Sequence, residues 1–182
     1  MRGIEGMKLA AAALVLLAAG PALAQSSASS TMSGLKLSND QPIQIESDKL
    51  EVQQEQNVAV FTGNVNVVQG TTLMKAGKMT VYYVKGAGSA ATGSANIDHL
   101  QVDDKVYIKT ETQVATGDRG TFDMKSQVFT LSGEKVVLSE GSNVLVGCKL
   151  TVQMNTGLAQ VDGCGGSGGR VMMSITPDSQ KP

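Results

Sequence analysis

The chain has 182 residues, with 15 Lys and Arg against 16 Asp and Glu, and its formal net charge at pH 7 is −1. This near-neutral balance excludes the strongly basic surface that typically binds nucleic acid. Two cysteines and a single histidine, His99, do not make the four-ligand spacing of a zinc site.

The N-terminus has the features of a secretory signal peptide. Basic residues precede an apolar run over residues 9–19, and the small-residue box Ala22-Leu23-Ala24 follows it. A run of eleven residues is shorter than the roughly 20 that cross a bilayer as a helix, which disfavours a membrane anchor. We therefore predict an exported protein whose signal peptide, residues 1–24, is cleaved after Ala24, whether Met1 or Met7 is the start.

The remainder is predicted to be one all-β domain between two short flanking segments. Residues 25–41 are rich in Ser and read as a flexible leader, and residues 177–182 form a C-terminal tail. Over residues 42–176, short stretches rich in Val, Thr and Ile alternate apolar and polar positions with period two. No stretch keeps a helical period, so the pattern predicts strands throughout.

Turn signals recur along this domain at intervals typical of stacked hairpins. They are Asp48-Lys49, Thr62-Gly63-Asn64, Gln69-Gly70, Gly86-Ala87-Gly88-Ser89, Asp103-Asp104, Gly117-Asp118, Ser132-Gly133, Glu140-Gly141 and Asn155-Thr156-Gly157.

The domain also repeats itself at a spacing of 70 residues, which one inserted residue later changes to 71. The matched segments are Asp48-Lys49 with Asp118-Arg119, Phe61-Thr62-Gly63 with Leu131-Ser132-Gly133, Gln69-Gly70 with Glu140-Gly141, and Lys78-Met79-Thr80-Val81 with Lys149-Leu150-Thr151-Val152. The chain is therefore predicted to contain two copies of one β unit. Each unit buries its apolar face against a neighbour, so the terminal units present edges.

Alternation predicts an inward apolar face. Its members are Ile45, Phe61, Val65, Val67, Met79, Val81, Phe129, Val137, Leu150 and Val152. Periodicity does not distinguish a filled core from a ligand groove. With three Tyr, three Phe and no Trp, the chain offers few rings on which sugars could stack, so a ligand groove of this composition favours acyl chains.

The sequence offers little of the constellation that an enzyme needs. His99 reads as a solvated or hydrogen-bonded strand residue, and Asp103-Asp104 as a hairpin turn. The stretch Gly163–Gly169 lacks the Lys and Ser/Thr of a phosphate-binding loop and precedes no helical pattern. We therefore predict a non-enzymatic protein without a cofactor or metal.

The two cysteines suggest a disulfide in the last hairpin. If Met154 and Leu158 flank a three-residue turn, Cys148 lies directly opposite Cys164, close enough to bond. A slip of one residue in this register would separate them. The sequence thus predicts an intramolecular Cys148–Cys164 bond.

Four segments together resemble the LptA/OstA-like family of lipopolysaccharide-transport domains. They are Pro42 to Glu51, Phe61 to Val65, Gln69-Gly70 and Ala76 to Tyr83, and the similarity spans Pro42 to Gly163. Departures are Gly77, where the family often has an acidic residue, and the Gly-rich stretch near the C-terminus. The resemblance implies an open-ended, twisted β-jelly roll of short antiparallel strands whose interior holds the acyl chains of lipid A.

The resemblance also implies function and partners. Members stack end to end through strand edges and link an inner-membrane complex to an outer-membrane translocon, so we expect a periplasmic carrier of lipopolysaccharide. Its expected partners are LptC-type and LptD-type OstA-like domains and a second copy of itself. Four cations are candidate contacts for lipid phosphates, unless they are simply solvated: Lys49, Lys78, Arg119 and Lys149. The alternative function is a structural or adhesive β-repeat module without a lipid ligand.

Overall fold

The computed structural model describes residues 28–31, 41–86, 96–165 and 169–176. The predicted signal peptide, residues 1–24, and the predicted tail, residues 177–182, lie outside the described residues. Four residues of the predicted flexible leader, Ala28–Thr31, instead form a strand.

The described residues form eleven strands and one short 3₁₀ turn, which confirms the all-β prediction. The strands are β1 (Ala28–Thr31), β2 (Gln44–Glu46), β3 (Lys49–Gln53), β4 (Val58–Gln69), β5 (Thr72–Tyr83), β6 (Ile97–Lys109), β7 (Gln113–Asp123), β8 (Val128–Glu140), β9 (Asn143–Gln153), β10 (Leu158–Asp162) and β11 (Met172–Ser174). The 3₁₀ turn is Gln54–Gln56. Within the described ranges, no helix has the length and apolar character needed to cross a membrane.

All eleven strands belong to one open antiparallel sheet. Its order is β1-β10-β9-β8-β7-β6-β5-β4-β2, with β3 also paired to β4 and β11 also paired to β9. At each end of the sheet, one long strand therefore carries two short strands. This open sheet with two distinct edges is the architecture of the expected β-jelly roll.

A line of β-bulges crosses the long strands β4 to β9 at one level, and we call it the crease. The register shifts between Thr62 and Val65, Lys75 and Lys78, Asp103 and Val106, Thr116 and Arg119, and Ser132 and Val136. Bulges add residues to one strand and bend it. The crease divides the sheet into an upper half, which contains the pairings of β2 and β11, and a lower half, which contains those of β1, β3 and β10.

Equivalent aspartates support the crease in the two repeats. The Asp48 carboxylate accepts a hydrogen bond from the Asn64 side-chain amide at 2.8 Å, and the Asp118 carboxylate accepts one from the Glu134 backbone N–H at 2.7 Å. A Cβ at the glycine beside either aspartate, residue 63 or residue 133, would collide with that carboxylate. The glycines are therefore required for this close approach. These matching contacts, 70 residues apart, confirm the repeat.

Several predicted hairpin turns are crease positions within long strands. Asp103-Asp104 lies inside β6, where Asp104 and Lys105 have φ of 67° and 60°. The same correction applies to Thr62-Gly63-Asn64, Gly117-Asp118 and Ser132-Gly133. Gly and Asp suit turns, and they also suit bulges, either at positive φ, as at Gly63 and Asp104, or at a close approach, as at Gly133. The sequence signal therefore does not separate the two.

The inner faces of both halves meet in one apolar core. Leu131, Leu150 and Val152 are completely buried, at 0% exposure, and belong to the same cluster as Val67 and Ile108 of the upper half. The core therefore joins the two halves across the crease.

Val137 was predicted to face inward, and its position in the structure requires a correction. Its neighbours Val136 and Leu138 are buried in the core, whereas Val137 opposes Thr116 and Val146 on the outer face. In β8 the buried positions are odd-numbered before the crease, as at Leu131, and even-numbered after it. The bulge between Ser132 and Val136 thus shifts the alternation that the prediction had extended unchanged.

Candidate functional site: an apolar cavity between the two halves

The inner faces of the two halves enclose a cavity at the end of the sheet that carries β2. About 890 Å³ is free of protein atoms there, including open solvent at the mouth. Ile45 and Val67 line it from the upper half, and Val81 and Phe129 from the lower half.

The lining of the cavity is almost entirely apolar. The polar residues in the lining are Gln69, Thr72 and Thr121, and Tyr83 adds a phenol. Burial raises the pKa of the Tyr83 phenol, because removal from water disfavours the phenolate. The lining therefore carries no charged side chain and suits an apolar ligand.

The structure divides the predicted inward residues into several groups. Five line the cavity: Ile45, Val67, Met79, Val81 and Phe129. Val65, Leu150 and Val152 are buried in the core away from the cavity, and Phe61 packs against the core while partly exposed. Only Val137 lies on the outer face.

Sequence reasoning missed much of the lining. Met74 opposes Val67, Leu100 opposes Val81, and Phe122 opposes Phe129. Residues directly opposite each other in a sheet share a face, so strand pairing identifies these three from the predicted ones. The other missed members are Ile43, Gln69, Thr72, Tyr83, Ile97, Val102, Ile108, Thr121 and Met154.

The open space is unevenly distributed between the repeats. Most lining residues come from β2 to β6 and the segment before β2, in the first repeat. In the second repeat, Leu131 and Leu150 oppose each other at 0% exposure and do not line the cavity. The apolar face is thus a groove in the first unit and a packed core in the second.

The four candidate phosphate contacts lie together, but away from the cavity. Lys49, Lys78, Arg119 and Lys149 occupy one cross-strand row beside the crease, with Thr62, Asp103, Ser132 and Asp162 in the same row. All four are exposed. Adjacent residues point to opposite faces, and Met79 and Leu150, next to two of these cations, are buried inward. The sheet therefore separates this row from the cavity.

His99 is a surface strand residue, as predicted. Its ring stacks on Tyr82 with centroids 4.1 Å apart, and its Nδ1 lies 2.7 Å from the Asp98 carboxylate. Across the part of the chain that the structure describes, no group of three or more His, Cys, Asp or Glu residues is placed to hold a metal ion.

The Cys148–Cys164 disulfide is present, with Cα atoms 4.9 Å apart, but the predicted hairpin register is wrong by one residue. Leu158 pairs with Gln153, not with Met154. The cysteines still meet because β10 ends at Asp162, so Cys164 lies beyond the ladder and is not bound by its register.

Three comparisons relate the chain to known proteins. The family model described as LptA/(LptD N-terminal domain) LPS transport protein matches residues 44–158. An uncharacterized protein of Rhizobium meliloti (strain 1021) is 55% identical over 165 residues, covering 91% of this chain and 87% of that protein. The lipopolysaccharide export system protein LptA of Escherichia coli (strain K12) is 28% identical over 149 residues, covering 65% of this chain and 78% of that protein.

A solved structure supports the fold. The crystal structure of LptH, described as the LptA-homologous periplasmic component of the lipopolysaccharide transport device of Pseudomonas aeruginosa, aligns with a TM-score of 0.60 at 19% identity. The alignment covers 76% of this chain and 97% of LptH. At this identity the match establishes the shared β-jelly-roll fold.

Proposed function

Because the chain belongs to the LptA/(LptD N-terminal domain) LPS transport protein family, we propose that it is a periplasmic carrier that holds the acyl chains of lipopolysaccharide in its apolar cavity. The observation that most directly supports this proposal is the cavity, which is open, nearly without polar groups and lined from both halves of the sheet.

The physical chemistry of the cavity suits a carrier. Each methylene removed from water contributes roughly 0.8 kcal/mol, so several acyl chains bind tightly without any single essential contact. An apolar wall makes no directional contacts, so acyl chains can slide along it toward an equivalent site. Such a wall supplies no net driving force, which must come from elsewhere.

The edges of the sheet supply the surfaces for bridging the membranes. Ile43 and Leu50 are exposed at the edge that carries β2 and β3, at 43% and 53%. At the other edge, Met172, Met173 and Ile175 are exposed. Adding a partner strand to either edge would cover these side chains and pair the free backbone groups. We propose LptC-type and LptD-type OstA-like domains, and a second copy of this chain, as the partners.

The cation row is not part of this proposal. A lipid whose acyl chains lie in the cavity is on the other side of the sheet from Lys49, Lys78, Arg119 and Lys149. We therefore assign these four side chains to the solvated outer surface.

Site-specific photo-crosslinking tests the proposal. A benzophenone amino acid at Val81 or at Phe129, both lining residues, should capture lipopolysaccharide in cells that make it. The matched control is Thr130, the next residue along β8, which points to the outer face and should capture none. If neither inner position yields a lipid adduct, the carrier proposal fails and the lipid-free structural module becomes the better explanation.

A further inference from the structure

The edge that carries the C-terminal strands is built from two short strands on β9. β10 covers its lower half, from the pair Leu158–Gln153 to the pair Asp162–Lys149, and β11 covers its upper half through three pairs. β1 already occupies the outer side of β10. Among the described residues, β11 is therefore the part of this edge to which no further strand is paired.

The contacts of β11 itself give it a weak hold on the sheet. Met172 and Met173 are 67% and 53% exposed, so they bury little apolar surface. Beyond its three-residue ladder, the Thr176 backbone N–H donates to the Asn143 side-chain oxygen at 3.1 Å. Val171, directly before β11, packs against the core while partly buried. Isolated short strand pairs are marginally stable in water, so a further anchor would stabilise β11.

The disulfide supplies that anchor. Cys148 lies in β9 beside the crease, and Cys164 lies in the connection from β10 to β11. Their sulfurs are 2.9 and 3.8 Å from the Glu134 carbonyl oxygen of β8. Gly163 and Gly169 approach so closely that a Cβ on either would collide with the opposite arm of this connection. The bond thus attaches the connection that precedes β11 to β9 and raises the effective concentration of β11 beside β9.

We propose that the Cys148–Cys164 disulfide holds β11 in place as the docking strand for β2 of a second copy of this chain. This inference rests on the proposed end-to-end function and deepens it by making one docking edge depend on a covalent bond. β2 is antiparallel to β4 and β11 to β9, so β2 beside β11 would continue the alternation of strand directions.

The inner apolar row supports the same pairing. One upper row of directly opposed residues begins at Ile45 on β2 and ends at Met173 on β11. Joining these two ends would extend the apolar face from one copy into the next. Neither cysteine lines the cavity, so loss of the bond should remove docking and leave lipid binding intact.

A photo-crosslinker at Gln44, an exposed residue of β2 outside the cavity lining, tests the proposal. In the disulfide-bonded chain it should yield a two-chain adduct whose second chain is attached through residues 169–176. In the Cys148→Ser/Cys164→Ser variant the yield should fall roughly tenfold or more, because the connection that leads to β11 then loses its covalent attachment to β9. A chain truncated after Gly169 keeps both cysteines, lacks β11 and should also lose the adduct.

Lipid capture at Val81, measured in the same variants, separates this inference from the proposed function and confirms that each variant folds. No Gln44 adduct in the native chain, an adduct elsewhere on the partner, or equal yields with and without the disulfide would each overturn the inference while lipid capture persists. Absence of lipid capture in the native chain would instead overturn the carrier proposal. If the serine variant captures no lipid, the folded native chain is treated with a reductant instead: an unchanged adduct yield overturns the inference, and a lost adduct with lipid capture retained supports it.

Discussion

Two leucines show how the surroundings of a residue separate a groove from a core. Leu100 on β6 lines the cavity and is partly exposed, whereas Leu150 on β9 is completely buried away from it. Both belong to inner rows of the lower half, so alternation alone describes them identically. Protein atoms fill the space in front of Leu150, whereas the space in front of Leu100 is open. This difference depends on how closely the two halves of the sheet approach each other across the crease.

Truncation of these leucines should therefore have unequal effects. We expect Leu150→Ala to lower the free energy of unfolding by about 2–5 kcal/mol, because it leaves a new void in a packed core. Leu100→Ala enlarges an existing space and should cost at least roughly 1 kcal/mol less. Urea denaturation of both variants measures the difference. Equal losses would show that the cavity closes in solution.

Asp123 gives a pH-dependent prediction at the same scale. Its carboxylate accepts hydrogen bonds from the Ser126 backbone N–H at 2.6 Å and the Ser126 hydroxyl at 2.7 Å, and these bonds lower the pKa of Asp123. A lowered pKa in the folded state stabilises the fold above the pKa of the unfolded chain, and the contribution is lost as pH falls through the folded pKa.

Ser126→Ala removes the hydroxyl bond and keeps the backbone bond. The pKa of Asp123 should then rise part of the way toward the ordinary value of an aspartate, as measured by NMR titration of its side chain. The variant should also lose more stability at pH 6 than at a pH below the folded pKa of Asp123, where the carboxylate is protonated in both states. An unchanged titration would mean that the hydroxyl contact does not persist in solution.

At the scale of the strand, the crease explains which parts of the fold the sequence could predict. The hairpin turns at Gly70 and Gly141 were predicted, and both glycines adopt φ of +57°. The bulges carry the same kinds of residue, so Asp103-Asp104 and Ser132-Gly133 were interpreted as turns. The same residue types suit turns and bulges, and cross-strand pairing decides whether the chain reverses or continues.

Asp118 and Asp48 test the energetic role of the crease. Asp118→Ala leaves the Glu134 N–H without its carboxylate partner and should destabilise the fold by about 1 kcal/mol. Asp48→Ala breaks a bond to the Asn64 side chain, which can turn to water, and should cost less. Thermal unfolding of the two variants provides the comparison. A larger loss for Asp48→Ala would contradict this ranking.

For the whole molecule, the sequence predicted the all-β class, the repeat and the disulfide, and its resemblance to a known family implied the open jelly roll. The location of the cavity could not be predicted from the sequence, because the two repeats have similar patterns of apolar and polar residues. Met79 and its repeat equivalent Leu150 both face inward, yet only Met79 lines the cavity. The edges could be expected from an open sheet, but the pairing of β1 with β10 joins segments too distant for local patterns to predict.

The central claim is that the cavity takes acyl chains, and calorimetric titration tests it most directly. The disulfide-bonded chain should bind intact lipopolysaccharide with a negative heat-capacity change, because apolar surface is buried. Lipopolysaccharide stripped of its acyl chains should bind at least about a hundredfold more weakly, given roughly 0.8 kcal/mol for each methylene lost. Equal affinity for the two forms would contradict the account and assign recognition to the sugar or phosphate groups.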